Sequence, residues 1–176
     1  MVLKGKKVLY IIAQQNFRDE ELKIPKEILK KEGVKVVVAS IERNEARGMF
    51  GMKVIPDLAI RHANPNDYDM LVIAGGSGSP KLADYPEVLD VVKRFREKDK
   101  PIATICLASY ILAKAGILNG IKVTVYPADF ALAELRRAGA LYQKASLVVD
   151  GKIISAEGPE VAKEFGEKIV EILANL

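Results

Sequence analysis

Cysteine and histidine, the side chains that most often carry nucleophilic and proton-transfer chemistry, occur once each in this chain of 176 residues, as Cys106 and His62. A single cysteine closes no internal disulfide, and no Cys/His set has zinc-ligand spacing, so neither a covalent staple nor a structural metal is expected. Tryptophan is absent and aromatic residues make up only 6% of the chain, which removes the stacking platforms that single-stranded nucleic acid binders use. The net charge of +4 and pI near 9.0 do not reverse that reading. Lys26, Glu27, Lys30, Lys31 and Glu32 alternate in sign as a solvated helix face does, and no nucleic acid partner is expected. Long apolar runs are missing too. The basic start, Met1 to Lys7, is followed only by Val8 to Ala13 before Gln14, Gln15 and Asn16 intervene. That run is too short for a signal peptide or a membrane span, so a cytoplasmic protein with no membrane partner is expected. The scarcity of Cys and Gln beside abundant Lys and Glu suits a thermophile.

What is present is a regular alternation. The length and the lack of a Pro/Ser-rich linker predict one domain over residues 1–176. Apolar runs of strand length occur at Lys7 to Ala13, Val34 to Ser40, Tyr68 to Ala74, Pro101 to Ile105 and Lys122 to Tyr126. Helical patterns fill Lys26 to Glu32, Pro86 to Lys98, Leu107 to Gly116, Asp129 to Ala138 and Pro159 to Leu173. Arg47 to Ile60 reads as a small hairpin or excursion, and Ala145 to Val149 with Lys152 to Ser155 as a hairpin about Asp150-Gly151. Buried strands that alternate with amphipathic helices require a mainly parallel sheet covered on both faces, a doubly wound α/β sandwich. Such sheets carry their sites at the carboxyl ends of the strands.

Cys106 stands at the corner where the fourth of these strands turns into a helix, with the small residues Thr104 and Ala108 two positions either side. That is the placement of a nucleophile elbow, and N–H groups of a helix's first turn favour a thiolate. A buried, inert cysteine is the alternative. Glu21 follows the first strand, four residues before Pro25, and on a helical turn it faces inward beside Leu22 and Ile28 while Asp19 and Glu20 face water. A buried, protonated Glu21 can hand a hydrogen bond to a thiolate, whereas an ordinary acid at a helix start is the plainer reading. The loop Gly75-Gly76-Ser77-Gly78-Ser79-Pro80 fails as a dinucleotide fingerprint, because the third glycine position falls on Lys81. It reads either as a turn or, with Cys106 nearby, as an oxyanion site in which Gly75 or Gly76 and Leu107 offer backbone N–H groups. Tyr126, at the end of its strand, is a candidate hydrogen-bond donor to the site or a packed strand tyrosine. His62 lies in the polar loop Arg61-His62-Ala63-Asn64-Pro65, away from the site, so a Cys–His pair within one chain is not expected.

Glu21 with Pro25, Ala74-Gly75-Gly76, Ala103-Thr104-Ile105-Cys106, Val123-Thr124-Val125-Tyr126-Pro127 and Gly158-Pro159 together resemble the ThiJ/PfpI superfamily across nearly the whole chain. That superfamily includes PfpI-type intracellular proteases and the branch of the parkinsonism-associated protein, credited with glyoxalase, deglycase, chaperone and redox-sensing roles. The resemblance implies a flavodoxin-like core of the class I glutamine amidotransferase kind, no cofactor, no metal, and a homo-oligomer of two or more subunits. It implies Cys106 as nucleophile, Glu21 as its carboxyl partner, and Gly76 with Leu107 as oxyanion donors. Three positions depart from it. Leu107 stands where the protease branch has histidine, Pro80 or Lys81 where that branch has an acidic residue after its glycine pair, and Tyr126 where the other branch often has histidine.

Three functions follow as expectations. The first is a cysteine-dependent enzyme acting on small reactive carbonyls, in which Cys106 attacks, Glu21 moves the proton, and Gly76 and Leu107 hold the oxyanion. The second is an intracellular peptidase acting on peptides, which would need a histidine from another subunit. The third is a stress sensor or chaperone-like protein that uses oxidation of Cys106.

Overall fold

The computed structural model describes residues 3–176; Met1 and Val2, where the basic start begins, lie outside the described residues. Twelve strands occur in chain order: β1 (Lys7–Ile11), β2 (Gln15–Phe17), β3 (Lys35–Ser40), β4 (Ala46–Gly48), β5 (Lys53–Val54), β6 (Leu58–Ala59), β7 (Met70–Ile73), β8 (Ile102–Ile105), β9 (Lys122–Val123), β10 (Leu141–Tyr142), β11 (Leu147–Asp150) and β12 (Ile153–Ala156). The α-helices are α1 (Asp19–Lys31), α2 (Pro86–Glu97), α3 (Ser109–Lys114), α4 (Asp129–Arg137) and α5 (Ala162–Ala174).

Seven strands form the central sheet in the order β11-β12-β8-β7-β1-β3-β6, and only β11 runs antiparallel to its neighbour. This is the flavodoxin-like α/β arrangement expected from the sequence. Every residue of β7, β8 and β12 is buried, as strands covered on both faces must be. The β1-to-β3 crossover runs in the opposite sense to the β7-to-β8 crossover, so right-handed connections put α1 and α2 on opposite faces. Helix α5 returns to pack on α1, where a Cβ on Gly166 would lie 2.9 Å from Ile28 Cδ1 and 3.0 Å from Pro25 Cα.

Several boundaries differ from the sequence expectation, each for a local reason. The first helix begins at Asp19 rather than Lys26, with Asp19, Glu20 and Glu21 in its first turn, where acids suit the helix dipole. Pro25 therefore lies inside the helix. It has no N–H for the Glu21 carbonyl four residues back, and the buried Tyr10 hydroxyl of β1 donates to that carbonyl instead. The stretch Lys122–Tyr126 is not the fifth strand of the main sheet. Only Lys122–Val123 is extended, paired with β10 in a separate two-stranded sheet, because Thr124 N–H donates to Ser155 Oγ and Tyr126 N–H to the Cys106 carbonyl. The strand that follows β8 in the main sheet is instead β12, parallel to β8 and one arm of the expected hairpin. After Cys106 the chain makes a 3-10 turn, Cys106–Ala108, before α3 begins at Ser109. The last helix likewise starts at Ala162, after a 3-10 turn over Pro159–Val161. No helix among the described residues is long and apolar enough to cross a membrane.

Candidate active site

Cys106 holds a positive φ of 60°, a left-handed conformation that costs a non-glycine residue about 1–3 kcal/mol. Packing below the elbow maintains it. Thr104 Oγ1 lies 2.8 Å from Ser109 Oγ, Ser109 Oγ donates to the Thr124 carbonyl at 2.8 Å, and Ser155 Oγ accepts from Thr124 N–H at 2.9 Å. These buried polar contacts join β8, α3 and β12 around the corner, while Ala108 is fully buried. The strained residue is thus fixed by its neighbours rather than by its own preference.

Two glycines let the β7 loop approach that corner. A Cβ on Gly75 would stand 2.5 Å from Cys106 Cβ, 2.6 Å from the Ile105 carbonyl oxygen and 2.7 Å from Glu21 Oε1. Gly76 has φ of 107°, and a Cβ there would strike the backbone of Asn16, Phe17 and Arg18. Gly75 N–H donates to Glu21 Oε1 at 2.8 Å. It is therefore committed to the carboxyl and does not serve as the oxyanion donor offered as an alternative to Gly76. The backbone N–H groups of Gly76 and Leu107 instead meet the Cys106 sulfur.

Glu21 is fully buried; its Oε1 and Cys106 Cβ crowd the same bare Gly75, and its Oε2 has no hydrogen-bond partner among the described residues. Burial pushes the Glu21 carboxyl up to about 8, against the pull of Gly75 N–H and the Arg18 charge. Burial, then the Glu21 charge, push the Cys106 thiol up to about 12, against the Gly76 and Leu107 N–H groups. Both shifts are upward and share one leading cause, the burial of each charged form. The sequence leads one to expect a thiolate throughout the neutral range. The structure moves its appearance upward, because Cys106 is only 7% exposed and the desolvation of an anion outweighs two N–H donors.

Above the sulfur lies a pocket of about 320 Å³ lined by Arg18, Met49, Leu107, Tyr126 and Glu160 among others. Tyr126 is half exposed at its rim, and its place there comes from its backbone bond to Cys106 rather than from a strand end. Arg18, Met49 and Glu160 are absent from the sequence reading. Arg18 Nη2 pairs with Glu20 Oε2 at 2.8 Å, and its guanidinium stands 4.6 Å over the Phe50 ring. Asp19 does not face water as expected: its carboxylate accepts from Phe50 N–H at 3.1 Å and Met52 N–H at 3.0 Å, tying α1 to the β4–β5 hairpin that brings Met49 to the pocket. The charged run Arg18-Asp19-Glu20-Glu21 was the available signal for Arg18; nothing local marks Met49. His62 is exposed in the turn after the edge strand β6, with β7, β1 and β3 between that strand and β8. Among the described residues no cluster of His, Cys, Asp and Glu has the makings of a metal site.

This architecture has close relatives. A protein of Methanocaldococcus jannaschii is 42% identical over 172 residues, 97% of this chain and 84% of that one. A deglycase of Pyrococcus horikoshii is 34% identical over 167 residues, covering 95% of this chain and 99% of the relative. Among solved structures, a ThiJ/PfpI domain protein of Brachyspira murdochii matches with a TM-score of 0.92 at 32% identity, covering 97% of each chain. The DJ-1/PfpI family model matches residues 6–172, and the chain belongs to the DJ-1/PfpI family.

Proposed function

We propose that this protein is a cysteine-dependent enzyme of small reactive carbonyl compounds, with Cys106 as nucleophile and Glu21 as its proton partner. The observation that carries the reading is a fully buried carboxyl set beside a strained cysteine at the floor of an open pocket. The name of the Pyrococcus horikoshii relative, a deglycase, agrees with it. With methylglyoxal as substrate, the sulfur bonds to the aldehyde carbon, and the aldehyde oxygen takes a proton, giving a hemithioacetal. Gly76 and Leu107 N–H groups, released from the sulfur as its charge is consumed, stabilise the developing oxyanion. Glu21 takes the proton from the former aldehyde carbon and returns it to the neighbouring carbonyl carbon, while the hydroxyl proton passes from the first oxygen to the second, which leaves a lactoyl thioester. Electrons balance within the substrate, since one carbon is oxidised as its neighbour is reduced. Water then cleaves the thioester to lactate and restores the thiol.

Lactate production from methylglyoxal by Cys106→Ala, beside the parent protein, tests this. Loss of production in a folded variant is expected; full retention removes the proposal. The peptidase alternative is disfavoured by Leu107 beside the nucleophile and by the position of His62 across the sheet. The same cradle of two N–H groups and one carboxyl also suits a sulfinate on Cys106, which favours oxidation sensing as a second reading. Mild peroxide should then add two oxygens at Cys106 before any methionine reacts, and methionine oxidation first would count against it.

A further inference from the structure

We propose that Glu160 is the general base that directs water onto the acyl intermediate, the task a histidine performs in other cysteine enzymes. The inference rests on the Cys106 reading above. The titratable side chains lining the pocket are Arg18, Cys106, Tyr126 and Glu160. A guanidinium has no proton to gain, a neutral phenol is chiefly a donor, and the sulfur is occupied once it carries the acyl group. Glu21 lies beneath the floor, fully buried, with Oε1 held by Gly75 N–H, so it exchanges a proton with the sulfur and substrate but does not meet bulk water. His62 is on the far side of the sheet. Glu160 alone is both solvent-facing and basic.

Glu160 stays exposed, yet its carboxylate bends back toward Gly158 along the pocket rim. A Cβ on Gly158 would lie 3.1 Å from Glu160 Oε2 and 3.9 Å from Tyr126 Cδ2, so the bare glycine leaves the room that the carboxylate and the tyrosine ring occupy. No ion pair among the described residues neutralises Glu160. In the hydrolytic half-reaction Glu160 takes a proton from water as the water oxygen bonds to the thioester carbon. The carbon–sulfur bond then breaks, the electron pair returns to the Cys106 sulfur, Glu160 gives its proton back to restore the thiol, and lactate leaves with its carboxyl proton lost to solvent. The full cycle consumes one methylglyoxal and one water.

The test is rapid-quench intact-mass analysis of Glu160→Gln supplied with methylglyoxal, beside lactate measurement. Steady lactate production should fall about a hundredfold, the scale of a lost general base, while Cys106 fills with one lactoyl group per chain in a fast first turnover. Hydroxylamine, which cleaves thioesters without a base, should then release the group. Parent-like turnover without accumulation overturns the role of Glu160, and so does loss of the first turnover itself. If neither protein carries a Cys106 adduct and Cys106→Ala keeps turning over, the nucleophile assignment fails as well.

Discussion

The Tyr10 hydroxyl donates to the backbone carbonyl of Glu21, the acceptor that Pro25 leaves without its helical donor. One strand residue thereby supports the helical turn that carries the buried carboxyl, and a proline that would ordinarily weaken the helix is accommodated. Tyr10→Phe keeps the ring and removes only that donor. A loss of about 1–3 kcal/mol in unfolding free energy is expected from a buried carbonyl left unsatisfied, measured by urea denaturation. An unchanged midpoint would show that the carbonyl has another partner.

Gly75→Ala introduces a methyl group where Cys106 Cβ, the Ile105 carbonyl and Glu21 Oε1 all lie within 2.7 Å. The loop must retreat and the Gly75 N–H bond to Glu21 lengthens. Carbonyl turnover should fall at least about a hundredfold in a chain that still folds, comparable to removing a proton-transfer group. Circular dichroism and an activity assay on the same sample decide it; near-parent activity would mean that the loop yields without disturbing the pair.

Alkylation of Cys106 should be slow at neutral pH and quicken only on the alkaline side, because burial and then the Glu21 charge push its thiol up to about 12. In Glu21→Gln the second of those causes is gone, so the rise should come at lower pH. A plateau already reached by pH 6 in the parent protein would contradict the burial argument.

Stability should also depend on Glu21 with a definite sign. Its carboxyl is raised from 4.5 to about 8 on folding, so between those values the folded state holds a proton that the unfolded state has lost. Stability is therefore fullest below about pH 4.5 and declines as pH rises to 8, by on the order of a few kcal/mol. Glu21→Gln should flatten this part of the profile. Equal slopes in both proteins, measured by denaturation at a series of pH values, would assign the dependence to other groups.

Much of the fold was readable because its signals are local. Apolar runs such as Tyr68 to Ala74 and Pro101 to Ile105 are short and continuous, as strands buried on two faces must be, and β7 and β8 lie within them. The pairing of β4 with β5 and of β11 with β12 follows the expected excursion and hairpin. Local signals failed where distant groups supplied a missing partner. Pro25 reads as a helix breaker unless the Tyr10 hydroxyl is known to lie beneath it, and Val125-Tyr126 reads as strand although the chain there bonds to the elbow instead.

By itself the sequence determined the alternating layers, the place of Cys106 at a strand-to-helix corner, and the glycine pair that must approach it, because periodicity and small side chains act over a few residues. Tertiary structure alone decided that Glu21 is buried beside the elbow, that Gly75 N–H bonds its carboxyl, and that Arg18, Met49 and Glu160 share the pocket. Those relations join segments far apart in the chain, and the desolvation that raises both protons of the pair exists only once the surrounding elements have closed over them.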